Sequence, residues 1–425
     1  MSPRWWAVLT LVALAGGLAV AALSRIPWRR LPAPRPDQLA ALAGLPADQV
    51  RRARAFRSRL RPANYGSMVV GLAVALVLGF SPAGAALVAA CARPVGDQWI
   101  ARAVLGGLAV VFLSALLTVP FAAWRHAVNK QFGLSTQGWG GWAVDVLKGY
   151  ALLAVLGGAA LLGFYAVTRA TPRWWWAYGA AGAAALMVLL SFVFPVLFEP
   201  IFNKFAPMPD SQLRTELLAL AARDGVPVRD VLVADASRRT RAVNAYVSGF
   251  GATRRIVVYD TLLREASPAE VVSVAAHELA HARYGDVVTG TLLGALGAAS
   301  AVIATYLIGF WSGLLRLAGV DSVAEPRSIA LLLALASLAG VVAGPVQNLV
   351  SRRIEAHADG HALALTADPA TFEAMQTRLS MVNLGDPDPN RWEHLLFASH
   401  PSTVERIAAA RAYARAAPQA GQDAG

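Results

Sequence analysis

Apolar residues gather in seven runs long enough to cross a bilayer, near 5–23, 67–91, 103–124, 149–167, 175–198, 288–310 and 328–350. Each reads as a helix, because in lipid a single segment must satisfy its own backbone hydrogen bonds. Between the fifth and sixth runs lies the one long polar stretch, about 199–287. There the pattern changes: Ser211–Ala222 repeats with a helical period, and Val228–Val233, Asn244–Phe250 and Arg255–Tyr259 read as strands. A further helix opens with a capping box, with Ser267 as the N-cap, Pro268 at the first helical position and Glu270 three residues after the cap. The expected fold is mainly α, a polytopic membrane protein of about seven transmembrane helices with a small α/β domain. Residues 1–198 form a membrane region of five helices, 199–415 carry the polar domain with helices six and seven, and 416–425 read as a disordered tail.

Composition agrees, with 56% hydrophobic and 15% charged residues. The single cysteine, Cys91, excludes an intrachain disulfide and cysteine-based metal binding. The net charge of +12 would suit nucleic acid if the basic residues lined a soluble face, but ten arginines crowd between Arg25 and Arg61, between two apolar runs. That is where a topology signal belongs, and contact with the lipid bilayer explains them without a nucleic-acid partner. Lysine and arginine counts in the short loops put the amino terminus outside and the polar insertion and carboxyl terminus in the cytosol, in a multi-pass protein of the cell membrane. The rival is a leader cleaved near Ala19–Ala22, which would invert every later segment against this charge bias.

The chemistry lies late in the chain: no glutamate precedes residue 199, and six of the seven histidines follow residue 276. On the capped helix sits His277-Glu278-Leu279-Ala280-His281. Histidines at i and i+4 share one helical face and can reach one zinc ion, while the glutamate between them can address a water on that ion. Chance matches at this composition number about 0.003 per chain. A catalytic zinc takes three protein ligands and keeps one position open. The third candidate ligand is Glu355 in Ser351–Asp359, with Asp359 one turn on, where it can orient a ligating histidine. His357 and His361 are also spaced i, i+4, but they sit on the far side of that helix from Glu355 and read as ordinary structural histidines.

Several longer motifs join these: Asn129-Lys130-Gln131-Phe132-Gly133-Leu134-Ser135, Phe202-Asn203-Lys204-Phe205, Asn244-Ala245-Tyr246 with Gly249, and Ser399-His400-Pro401 with Arg406. With them, nearly the whole chain resembles the type I CAAX prenyl endopeptidases, integral-membrane zinc metallopeptidases, and the arginine- and alanine-rich composition suits a bacterial member. The resemblance implies a helix ring around an intramembrane chamber closed by a zincin-type domain, one Zn2+ per chain, and a polypeptide substrate delivered in or at the membrane. It implies that Glu278 activates the attacking water and that His400 stabilises the transition state. Asn244, Ala245 and Tyr246 become an edge strand that pairs with substrate, and Arg406 a substrate-orienting residue, although a salt bridge to Glu405 or Asp359 is a competing role. Ala280 stands where the family usually has glycine, a harmless change on a helix.

The rivals are a site-two-type intramembrane protease, whose second carboxylate motif is missing from the later spans, a stress protease of the HtpX type, and a non-enzymatic transporter or scaffold.

Overall fold

The structure, a computed structural model, describes residues 2–29 and 32–420. Seven of its helices are long and apolar enough to cross a membrane: Pro3–Arg25, Ala47–Gly79, Trp99–Gln131, Trp139–Ala170, Trp175–Phe194, Asp286–Ile308 and Pro326–Thr366, spans 1 to 7. Spans 2 to 7 pack as a ring, each against the next, with span 7 returning to span 2, and span 1 packs on span 6. Only 6–28% of each span's apolar window is buried within the protein.

Span 2 departs from the expected 67–91. Its helix begins at Ala47 and takes in the arginine-rich segment, then stops at Phe80. Ser81 caps a new short helix, Pro82–Ala92, its hydroxyl accepting from the Ala83 N–H at 3.3 Å. Proline at a first helical position is favoured and in a helix interior costs a hydrogen bond, so Ser81-Pro82 divides one apolar run into two helices. Glycine permits the close approach on either side of this break. A Cβ on Gly79 would stand 2.3 Å from the Ala334 Cβ, and one on Gly84 2.3 Å from the Ala330 Cβ of span 7.

Arg35, Arg54 and Arg61 are likewise not loop residues facing only lipid, but stand on helices. Arg35 makes a bidentate pair with Asp388 at 2.7 Å, Arg61 pairs with Glu393 at 2.7 Å, and Arg54 approaches Asp386 at 3.5 Å. Ala41, Leu45 and Val50 share a buried cluster with Met381, Val404 and Ile407. The amino-terminal segment is thereby fastened to the last helix, Thr403–Ala420. That helix passes the expected tail boundary at 416, and residues 421–425 lie outside the described residues.

The polar insertion folds around a four-stranded sheet. β1 (Phe205–Pro207), β2 (Asp230–Ala234), β3 (Ala245–Ser248) and β4 (Arg255–Tyr259) lie in the order β1-β2-β4-β3. β2 and β4 are parallel, and the other pairs are antiparallel. β1 was not expected, being three residues that end in proline, and proline is tolerated there because the strand is an edge. Gly249 makes the β3–β4 turn: its φ is +87°, and a Cβ would fall 2.6 Å from the Thr253 carbonyl oxygen. Leu217, Ile256, Val258, Leu262, Leu279 and Phe372 anchor the core between the sheet and its helices.

Candidate active site

The helix Pro268–Tyr284 carries both motif histidines. Its capping box forms as the sequence predicts, with the Glu270 N–H donating to the Ser267 hydroxyl at 3.3 Å and the Ser267 N–H donating to Glu270 Oε2 at 2.7 Å. Arg378 also donates to Glu270, at 2.9 Å, which ties the helix start to Pro369–Val382. Burial of Val271, Val274, Ala275 and Leu279 on the sheet fixes the helix rotation, and the face that remains turns His277 and His281 towards span 7.

The two Nε2 atoms stand 3.2 Å apart, and His277 Nε2 is 3.2 Å from Glu355 Oε2. Two ligands of a tetrahedral zinc at the usual bond length stand about 3.3 Å apart, so the three groups fit one ion. His281 Nδ1 lies 2.8 Å from Asp286 Oδ2, and His277 Nδ1 lies 2.9 Å from Asp359 Oδ1. With each Nδ1–H held by a carboxylate, each Nε2 presents its lone pair to the shared point, as metal-ligating histidines do. Glu355 Oε2 is buried without a hydrogen-bond partner among the described residues, and lone pairs converging on one buried point call for a cation. Burial opposes a charged His277, but the carboxylates of Asp359 and Glu355 beside it outweigh that and raise the imidazole to about 10. A proton therefore competes with a metal for this position.

Glu278 is nearly enclosed, and burial raises its carboxyl above the ordinary range although the neighbouring histidines pull it down. A carboxylate whose affinity for protons is raised is a better general base near neutrality. His400 Nε2 lies 3.5 Å from Glu355 Oε1, with Nδ1 2.9 Å from the Ser399 hydroxyl. Its side chain is 59% exposed, so it stands at the open side of the cluster.

Arg406 is engaged within the protein. Its Nε donates to Asp359 Oδ2 at 2.8 Å, its Nη2 to Asp359 Oδ1, and Nη2 lies 3.4 Å from His277 Nδ1. The competing salt-bridge role is the one this geometry displays, with Asp359 rather than Glu405 as the partner. Breaking a buried pair of this kind typically costs about 3–5 kcal/mol, because it leaves a charge uncompensated.

β3 runs along the open edge of the sheet, beside the metal helix. The Tyr259 N–H donates to the Asn244 carbonyl at 3.0 Å, and the register pairs Tyr246 with Val257. Bonded pairs alternate in an antiparallel ladder, so Asn244 and Tyr246 turn their backbone groups towards β4, while Ala245 and Val247 turn theirs to the free edge. The Tyr246 hydroxyl donates to Glu199 Oε2 at 3.1 Å and ties the strand to the end of the membrane region.

Residues 207–414 match the model of Peptidase family M48, and residues 42–204 match that of the CAAX prenyl protease N-terminal region, five membrane helices. The chain belongs to peptidase family M48. It is a multi-pass membrane metalloendopeptidase that acts on peptide substrates and uses a metal cofactor. Among its relatives is the uncharacterized metalloprotease YhfN of Bacillus subtilis, 28% identical over 69% of this chain and 70% of that protein. A CAAX prenyl protease 1 homolog of Oryza sativa is 29% identical over 71% of each chain. The crystal structure of S. mikatae Ste24p shares the fold, with a TM-score of 0.76 at 21% identity over 95% of this chain and 98% of that one.

Two residues of this M48 site escape a reading of the sequence. Asp286 follows Gly285, whose φ of +66° ends the metal helix and turns the chain so that the Asp286 carboxylate folds back to His281. The Gly-Asp pair after the motif was the only signal. Arg352 of span 7 donates to the carbonyls of His394, at 3.0 Å, and Ala398, so it fastens the segment that delivers His400. His357 and His361 stand apart from the metal position: His361 Nε2 lies 2.8 Å from Asp224 Oδ1 and its Nδ1 3.1 Å from the Tyr284 hydroxyl, while Tyr284 packs on His357.

Proposed function

We propose that the protein is a zinc endopeptidase in which His277, His281 and Glu355 hold one ion and Glu278 serves as the catalytic base. The observation that carries this reading is the pair of Nε2 atoms 3.2 Å apart, each backed by a carboxylate on Nδ1 and joined by Glu355. Bound there, zinc supplies a Lewis acid for the scissile carbonyl and lowers the pKa of a water ligand towards about 7. Substrate backbone adds as a strand to the free edge of β3, bonding to Ala245 and Val247, which lays the peptide across the metal helix. Glu278 takes a proton from the attacking water and returns it to the leaving amine nitrogen. His400, oriented by Ser399, donates to the oxyanion. Arg406 acts through Asp359: it holds that carboxylate against His277 Nδ1 and so keeps the ligand's orientation. Asp286 does the same for His281.

The substrate class is polypeptides associated with or delivered by the membrane, because Glu355 of the cluster stands on the same helix as span 7. The names of the prenyl protease relatives make a lipidated carboxyl terminus one candidate within that class. The loop charges support a metal site on the cytosolic side of the cell membrane and an amino terminus outside.

Purified protein should contain about one zinc per chain, and Glu278→Gln should keep the metal while turnover falls about 10²–10⁴-fold. Near-normal turnover in that variant would overturn the mechanism. For topology, Cys91→Ala chains with a cysteine at Asp97 or Asp210 are treated with an impermeant thiol reagent. Only Asp97→Cys should react in intact cells, and the opposite pattern would move the site to the outer face.

A further inference from the structure

Spans 3 and 4 meet the sheet unit around a second polar cavity, well separated in sequence from the metal ligands. It measures about 330 Å³ and is lined by Arg125, His126 and Asn129 from the end of span 3, Gln137 from the connecting loop, Trp142 from span 4 and Arg239 from the sheet unit. The loop is fixed in place: the Thr136 N–H donates to the Arg239 carbonyl at 3.1 Å and the Arg241 N–H to the Leu134 carbonyl at 2.8 Å. This is therefore a built cavity between two parts of the fold rather than a gap beside a free loop.

Its polar groups are unevenly paired. Arg239 is neutralised by Asp145 at 3.6 Å and donates to Asn203, and Gln137 donates to Asp145 at 2.6 Å. Among the described residues Arg125, half-buried and one helical turn before Asn129, has neither a hydrogen bond nor an ion pair, and the Asn129 side chain also lacks a partner. His126 is only 5% exposed, and its Nε2 is buried with no hydrogen-bond partner among the described residues. Its ring is fixed by stacking on Trp142 at 5.4 Å and by the edge of Trp139 at 4.8 Å. A buried polar atom without a partner and a guanidinium with no counter-charge are both costly, and one ligand can satisfy both.

We propose that this cavity binds a phosphoryl anion, held by the Arg125 guanidinium with the Asn129 amide and the His126 ring as further hydrogen-bonding groups. Arginine's planar fork matches phosphate geometry, and Arg239, already paired with Asp145, leaves Arg125 as the cation that faces the ligand. The cavity sits where two spans end, and Trp124 and Trp139 at the same ends are 45% and 49% exposed, as aromatic residues at headgroup level are. The ligand this location favours is the headgroup of an anionic phospholipid, bound where the membrane ring meets the peptidase unit. Free phosphate shares the chemistry.

The test uses the full-length protein in detergent, stripped of lipid and titrated with phosphatidylglycerol or phosphatidylcholine under native mass spectrometry. A parallel arm follows thermal unfolding with inorganic phosphate alone. Wild type should bind one phosphatidylglycerol about tenfold more tightly than phosphatidylcholine. Arg125→Gln should erase that preference, Asn129→Leu should weaken it, and Arg51→Gln on an exposed helix face should leave it unchanged. Arg125-dependent protection by phosphate without lipid preference would keep the anion site and make the source soluble. Equal binding of phosphatidylglycerol by wild type, Arg125→Gln and Asn129→Leu, with no protection by phosphate, would overturn the proposal.

Discussion

The metal helix and the spans around it bury themselves to very different degrees. Nine of the seventeen residues of Pro268–Tyr284 are buried, whereas no span has more than 28% of its apolar window covered by the rest of the protein. The difference follows from the solvent. In water an apolar face must find a protein surface, at roughly 25 cal/mol per Å² removed from solvent. In lipid the same face is already satisfied, and spans associate through close packing of small residues such as Gly79 and Gly84 on span 7. The candidate site's histidines are therefore positioned by the densely packed unit, and Glu355 by the helix of span 7.

This contrast can be broken by substitution, beginning where the largest change is expected. Glu355→Ala removes the proposed third ligand from the span that bridges the two regions. Metal content by elemental analysis and peptide hydrolysis should both be lost, whereas His357→Ala and His361→Ala should keep their metal. Equal loss in all three would place the metal on the wrong face of span 7. Leu279→Ala, in the packed core of the metal helix, should lower stability by about 2–5 kcal/mol in denaturant or thermal unfolding.

Smaller effects sharpen the picture. Asp286→Asn should weaken metal binding about 10–100-fold in competition with a chelator, with little change in unfolding temperature. Asp359→Asn should weaken it similarly and also lower that temperature, because Arg406 loses its partner. Val247→Pro removes an outward-facing N–H from β3, and kcat/KM should fall about tenfold with metal content intact, as expected for one lost charge-free backbone contact and its neighbours. Smallest of all, Leu116→Ala on span 3, where the side chain is 68% exposed, should change stability by no more than about 0.5 kcal/mol. A loss comparable to that of Leu279→Ala would show that the ring is held by packing of the same kind as the sheet unit.

What the sequence determined by itself is what depends on near neighbours and on bulk solvent. Hydropathy over twenty residues located seven spans, a 3.6-residue period placed His277 and His281 on one face, and the Ser267–Glu270 box marked the start of their helix. Even the break in span 2 was encoded locally, in Ser81-Pro82, beneath an apolar run whose average hydropathy hid it. The tertiary structure alone decided which distant charges meet. Arg406 pairs with Asp359 across 47 positions, Arg61 with Glu393 across 332, and Arg352 fastens the segment bearing His400. Coulomb and hydrogen-bond partners depend on distance in space, and residue spacing along a chain holds no record of that distance beyond a few turns of helix or one hairpin. Arginines that composition assigned to lipid, or the resemblance to substrate, are in part the ties that hold the candidate site together.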